Sequence, residues 1–399
     1  MGWVYSEPEP AIGTRLDDDD VRLTDAAIGK VSDKVVDRRN ILIGLSGSAL
    51  AGGGATYLAV REAFSRSDYT AAVAQTRAVL NPNPQTRDII RYATLAANSH
   101  NTQPWRFAIG QRGIDISPDL TRHLPAVDPD NHHLFASLGC AAENLAIAGR
   151  MRGMPGELKF SPADDGIVEY GFGGSPAGEP ALFEAIPKRQ STRSEFEGKP
   201  ASASDMATLA RTAAMPGVDL VLISDRRQMD RIRDLVVAGN SAQLADPAFV
   251  GELRSWLRFS PRHAMETGDG LFSVCSGNPA LPEWLGPLMF DLAFNADAEN
   301  DKYARQIDSS AGIAVFVAHE NDPEHWVLAG RACQRFALQA TALGLKHAFI
   351  NQPIEVAGLR PELAALVGMP ACRPDIVMRF GYGPALPFSA RRPVAAVLA

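Results

Sequence analysis

Apolar positions along this chain follow two rhythms, one helical and one of period two. Residues 61–82 are rich in Ala with few breakers and predict a helix, which "NPNP" at 81–84 ends. "RDIIRYATLAA" (87–97) predicts a second helix, stopped by Asn98-Ser99-His100-Asn101. "WRFAIGQRGIDISPD" (105–119) alternates around Gly110 and Gly113 and predicts a hairpin. "LFASLGCAAENLAIAGRMRG" (134–153) returns to helical spacing, with Leu134, Leu138, Ala141, Leu145 and Ala148 on one stripe.

The pattern then recurs. "LGCAAENLAIAGRMRGM" (138–154) and "AGRACQRFALQATALGL" (329–345) share Gly139/Gly330, Ala141/Ala332, Ala146/Ala337 and Gly153/Gly344 at an offset of 191. The pair "RYATLAA" and "WRFAIG" has a counterpart in "TLARTAA" (208–214) and "VDLVLIS" (218–224), at an offset of only 117. The difference, 191 − 117, places about 74 extra residues in the second copy, within roughly 225–315. Two copies of one α/β unit are therefore expected: a first half over 61–184, and a second over 185–399 that carries the insertion. The insertion includes "FSPRHAMETGDGLFSVCSGNPALPEWLGPLMF" (259–290), whose Gly and Pro punctuation, aromatics and weak periodicity suit a lid or binding wall.

Composition adds little to the fold and more to the exclusions. The chain has 399 residues, 46% hydrophobic and 21% charged, enough for a large core. A net charge of −7 argues against a nucleic-acid partner. The acidity is concentrated in residues 1–37, which include Asp17–Asp20. Cys140, Cys275, Cys333 and Cys372 show neither CxxC nor metal spacing and read as free, mostly buried thiols. His132-His133 reads as a surface or cap pair at the start of a helix, and "GFGGSP" (171–176) lacks the strand-then-helix context of a dinucleotide fingerprint.

Arg38-Arg39 precede an uncharged run over residues 40–60, an arrangement that resembles a twin-arginine export signal. Such signals carry folded, cofactor-loaded proteins and would place the chain in the periplasm or at the membrane. The run is also long enough for a weak membrane anchor. Asp37 and Ile41 depart from the usual pattern, the upstream region is long and acidic, and no clear cleavage site follows. The competing expectation is an acidic tail, an ordinary apolar segment and a cytoplasmic protein.

Candidate chemistry lies in two separate stretches. "NSHNTQPWRF" (98–107) packs six hydrogen-bonding side chains beside Pro104-Trp105. "AIPKRQSTRSEFEGKP" (185–200) alternates Arg189, Ser191 and Arg193 with Gln190 and Thr192. Two guanidiniums and a hydroxyl suit a phosphate, because Arg offers paired donors in a planar fork. Taken alone, a solvated charged linker explains the second stretch equally well.

Together the stretches resemble the FMN-dependent nitroreductase family. "R-x-S-x-R-x-x-F" resembles the family's opening and "N-S-x-N-x-Q-P-W-x-F" its second signature. "ALGLKHAFINQPIEV" (342–356) resembles the third, and "MRFGYGPALPFSARRPVAAVL" (378–398) the C-terminal stretch. Ordinary members carry both of the first two pieces in one chain and form two flavin sites across a dimer. Here the first copy keeps the Asn-x-Gln-Pro-Trp loop and the second keeps the Arg-x-Ser-x-Arg opening.

The resemblance, closest to the fused branch called the Acg group, implies an α+β nitroreductase-like fold. Two fused repeats would form a pseudo-dimer with central mixed sheets and long core helices. It also implies a monomer with an internal pseudo-twofold and one FMN, passing hydride to a nitroaromatic, a quinone or a similar small acceptor, with NAD(P)H as a candidate donor. Arg189 and Arg193 would bind the phosphate, backed by Arg391 or Arg392. Gln190 and Ser191 would add hydrogen bonds to the phosphate, ribityl chain or ring edge. Asn98, Ser99 and Asn101 would meet the flavin's polar edge and tail, and Pro353, Ile354 and Glu355 would line the ring. Gln103, Pro104 and Trp105 would shape the loop. No catalytic residue or metal is implied, since the flavin carries the chemistry. A non-catalytic flavin store beneath a lid, or a flavin-free pseudoenzyme, are the alternatives.

Overall fold

The computed structural model describes residues 65–174 and 177–399. The acidic tail and the twin-arginine-like segment lie outside them. A helix over 65–76 is followed by Thr86–Ala93 and the 98–103 loop. Four strands then form the first sheet: β1 (Trp105–Ile109), β2 (Gly113–Pro118), β3 (Gly156–Ser161) and β4 (Ile167–Phe172), in the order β1-β2-β4-β3. The expected hairpin is β1-β2, whose inward residues Trp105, Phe107, Ile114 and Ile116 are buried.

The second sheet contains β5 (Val218–Ile223), β8 (Gly312–Ala318), β9 (Lys346–Phe349) and β10 (Pro374–Gly381), in the order β5-β8-β10-β9. Both sheets thus run first-second-fourth-third, each with a 20-residue helix between its second and third strands. Every pairing among these eight strands is antiparallel. Parallel pairing enters at the edges, as bridges from Phe107 to Leu398 and from Ser191 to His347. The first of these brings the C-terminal tail onto the first sheet. Strand β8 is buried throughout and alternates cleanly. Ala314 and Phe316 pack toward helix Pro323–Ala342, while Ile313, Val315 and Val317 face helix Arg226–Leu244.

The two long helices, His132–Met151 and Pro323–Ala342, cross at the centre. Small residues let them approach. A Cβ on Gly139 would lie 2.0 Å from the Val327 carbonyl oxygen, and one on Gly330 would lie 1.9 Å from that of Ala136. Those two contacts exchange under the offset of 191 read from the sequence. So do the pairs Glu143–Arg335 and Gln334–Asn144, at 2.8 and 2.7 Å. His132 and His133 are not a surface pair: both are buried, with His132 edge-on to Trp326. The Trp326 and Asp375 packing that covers them comes from distant segments, which a local pattern does not reveal.

Most of the insertion lies between β5 and β8. Its first helix, Arg226–Leu244, covers the second sheet. Helices Pro247–Trp256, Pro261–Thr267, Gly286–Ala293 and Ala296–Asp308 follow, with two-residue parallel strands β6 (Leu257–Arg258) and β7 (Leu271–Phe272) among them. Asp269 accepts a 2.8 Å hydrogen bond from Arg258 and pairs with Arg122, which anchors this wall to the first half.

Candidate flavin site

Two adjoining cavities lie where the 98–103 loop, the 189–193 segment, the insertion and the C-terminal tail meet. One is about 460 Å³ and the other about 70 Å³. Asn98, His100, Arg193, Ser276 and Phe349 line both, so they form one continuous cleft with a narrow and a wide end.

The narrow end is lined by Arg77, Arg189, Arg193 and Arg391, and among the described residues no carboxylate lines it. Arg77 donates to the Pro187 and Arg189 carbonyls at 2.9 and 3.2 Å and lies over the Phe388 ring. Arg189 donates to the Leu95 carbonyl at 3.0 Å, while its buried Nε has no protein partner. The buried Ser191 Oγ is also unpartnered. Burial, then Arg391 and Arg189, push the Arg77 guanidinium well below its usual range. Burial and Arg189 lower Arg391 to about 9. Crowded cations with unused donors and no counter-charge fit an anionic group such as a phosphate.

The 98–103 loop is built by strain and internal bonding. His100, Asn101 and Gln103 have φ of 46°, 55° and 54°, a region non-glycine residues rarely occupy. Asn98 Oδ1 accepts from the Gln103 amide at 2.9 Å. Asn101 donates to the Gly270 and Ala390 carbonyls at 3.0 and 3.1 Å and accepts from Arg391 at 2.8 Å. Gln103 donates to the Gly268 carbonyl and accepts from the Arg392 amide, both at 2.9 Å. The polar side chains of this loop therefore tie the insertion and the tail together. Asn98, Ser99 and His100 line the wide end, and Asn98, His100 and Asn101 the narrow one. Burial and then Arg193 push His100 down to about 3, so it is neutral, and its Nδ1 is unpartnered.

The wide end has one wall from the first core helix, where His133, Ala136, Ser137 and Cys140 follow helical spacing. The insertion supplies the apolar wall with Phe249, Leu253, Phe259, Leu271, Met289, Phe290 and Phe294. Glu355, Gln352 and Asn351 close the floor.

The cleft brings together Asn98, Ser99, Asn101, Arg189, Gln190, Ser191, Arg193, Glu355 and Arg391. Gln190 is there, but its amide clamps Leu386 in two 2.8 Å bonds. Pro353 and Ile354 are buried behind the floor and line neither cavity; Ile354 packs with Val377 and Leu363. Arg392 points away, to the Gln103 and Ala396 carbonyls and Asp119. Arg77 went unmarked in the sequence reading, His100 was given no role of its own, and His133 was taken for half of a surface or cap pair. Arg77 is one cation on an Ala-rich helix, and nothing local signals that it reaches a segment 112 residues away.

The fold and this cleft define an α+β protein with two four-stranded sheets of the same strand order and a continuous cleft. No family profile matches the chain. It is 26% identical over 327 residues to a protein of Mycobacterium tuberculosis (strain ATCC 25618 / H37Rv) named "Putative NAD(P)H nitroreductase", spanning 79% of this chain and 92% of that one. It is 24% identical over 321 residues to "Putative NAD(P)H nitroreductase acg" of the same organism, spanning 77% and 93%. Among solved structures, the FMN-dependent nitroreductase NfnB from Mycobacterium smegmatis in complex with NADPH aligns at 13% identity and a TM-score of 0.35, covering 51% of this chain and 88% of its own. A nitroreductase with bound FMN from Desulfitobacterium hafniense aligns at 16% and 0.33, covering 53% and 93%.

Proposed function

We propose that this chain is an FMN-binding oxidoreductase that passes electrons to a small acceptor, a nitroaromatic or a quinone, from a donor such as NAD(P)H. One observation carries the reading: a pocket lined by four arginines and, among the described residues, by no carboxylate opens into a larger, mostly apolar-walled cavity. The names of its relatives agree with it. Arg77, Arg189, Arg193 and Ser191 would hold the phosphate, with Arg391 behind them. Ser99 and His100 would meet the tail and polar edge of the ring. Asn98 and Asn101 hold the loop in place, and Glu355 faces the wide end. When bound, FMN supplies the hydride chemistry, and the residues here position it and keep water from it.

The chain on this reading is an internal duplication acting as a monomeric pseudo-dimer, in which residues 61–184 and 185–399 each contribute half of one site. The shared strand order and the exchange of helix contacts at a constant offset support it. Export through Arg38-Arg39, with the 40–60 run as leader or anchor, belongs to the same proposal. Among the described residues no helix is long and apolar enough to cross a membrane.

The test is anaerobic. Purified yellow protein is mixed with NADH or NADPH and its flavin absorbance followed. Bleaching within seconds supports the enzyme. Persistent colour with FMN bound favours a flavin store walled in by the insertion, and colourless protein that takes up no FMN rejects both.

A further inference from the structure

A group of titratable side chains sits away from the arginine pocket and takes no part in holding an anion. Glu355 and His133 both line the wide cavity, with His133 Nε2 3.7 Å from Glu355 Oε1. Glu355 Oε2 accepts a 2.6 Å hydrogen bond from Gln243 Nε2. The three residues come from different elements: the first core helix, the short turn Gln352–Glu355 and helix Arg226–Leu244. Their side chains are largely buried, Glu355 to within 17% and His133 to within 5%. Behind them, a bulge between Pro374 and Ile376 aims Asp375 at His132, whose Nε2 lies 2.8 Å away.

Among the described residues no guanidinium or ammonium pairs with Glu355. Its polar partners are an amide and an imidazole, and the acidic side chains facing it are Asp128 and Glu252. Burial raises its carboxyl above the usual range, Asp128 and Glu252 add to that, and His133 and Gln243 oppose it. Burial, then His132, lowers the His133 imidazole. On the cavity floor burial thus favours the protonated form of the acid and the neutral form of the imidazole beside it.

We infer that Glu355 is the general acid that protonates the electron acceptor in the wide cavity, and that His133 returns the proton to it. This rests on the oxidoreductase reading above. An acceptor with a carbonyl or nitro oxygen that takes an electron pair and one hydrogen from reduced flavin still needs a proton at oxygen. The Glu355 O–H bond breaks as the acceptor's O–H bond forms. The carboxylate left behind takes the Nε2 proton of His133 as the imidazole takes one at Nδ1 from a solvent water, and the hydroxide so formed is neutralised by the bulk buffer. Preferred substrates are thus acceptors whose reduction consumes a proton.

The test uses FMN-loaded wild type and Glu355→Gln, which keeps the shape and the amide contact but has no acidic proton. The flavin is reduced with dithionite, then oxidised in a stopped-flow by a soluble quinone or by ferricyanide, which accepts electrons without a proton. The quinone-to-ferricyanide rate ratio is expected to fall at least tenfold in the variant, since general acids contribute about 10²–10⁴-fold. The solvent isotope effect on the quinone step is expected to shrink with it. Independently of turnover, wild-type protein titrated upward in pH should keep a protonated-carboxyl infrared band beyond the usual carboxylate range, and the variant should lack it. A ratio unchanged within twofold, or no infrared difference, overturns the assignment. Wild type that binds FMN and reduces neither acceptor overturns the oxidoreductase reading, and this one with it.

Discussion

Replacing Arg189 with Met separates ligand binding from stability. Arg189 is buried in the narrow pocket with its Nε unpartnered and no carboxylate lining the space around it. In the flavin-loaded protein it would form a charge-assisted hydrogen bond to phosphate, worth about 1.5–3 kcal/mol. Its loss weakens FMN binding by about 10- to 150-fold. The apoprotein responds in the other direction. Burial lowers the Arg189 pKa, so the cation is costly there, and an unbranched apolar chain removes that cost. The lost 3.0 Å bond to the Leu95 carbonyl offsets this by about 1 kcal/mol. The apoprotein urea midpoint should therefore hold or rise while the FMN dissociation constant, read by fluorescence quenching, climbs. A dissociation constant within twofold of wild type would refute the phosphate assignment. A weakened constant that merely tracks a collapsed midpoint would refute the electrostatic reasoning.

Further perturbations address other parts of the molecule. Gly139→Ala and Gly330→Ala should each destabilise by about 1–3 kcal/mol or more in urea unfolding, despite the helix preference for Ala, because each methyl meets a backbone carbonyl at 2.0 or 1.9 Å; equal costs would also match the exchange of these contacts between the two helices. Asn101→Ala removes two donated bonds and one accepted bond and should lower stability by about 2–4 kcal/mol, with a greater loss of FMN retention than Ser99→Ala. Acidification should destabilise the apoprotein. His100 and His132, each lowered to about 3, and His347, held well below its usual range by burial, are neutral when folded and take up three protons when unfolded below the imidazole range. Asp375, raised to about 7, releases one on unfolding, while the lowered His133 and the raised Glu355 act in opposite directions. The net uptake of two protons makes stability rise with pH by about 2.7 kcal/mol per unit around pH 5.5 and level off near neutrality. Urea midpoints flat between pH 5 and 6.5 would contradict it.

Much of the architecture was legible because it is periodic. The hairpin at 105–119, the core helices and the offset of 191 follow from spacing alone, and Gly139 and Gly330, one of the two glycine pairs that share the offset, lie at the helix crossing. The site was legible in part. Paired arginines around a serine suit an anion or, equally, a solvated linker, and the cleft brings Arg189 and Asn101 to one cavity from segments nearly ninety residues apart. The roles within the loop were less visible. An amide reads the same in sequence whether it faces a ligand or its own backbone, and Asn101 and Gln103 spend theirs on Gly268, Gly270 and Ala390. Arg77, His133 and the burial of His132 depend on contacts across a hundred or more residues, where no local rhythm carries the signal.

The central claim is that one composite pocket holds one flavin. Flavin released from purified, FMN-saturated protein, measured against chain concentration on material sized by light scattering, tests it directly. One FMN per monomeric chain is the predicted result. Two per chain, or none retained after saturation, would contradict it.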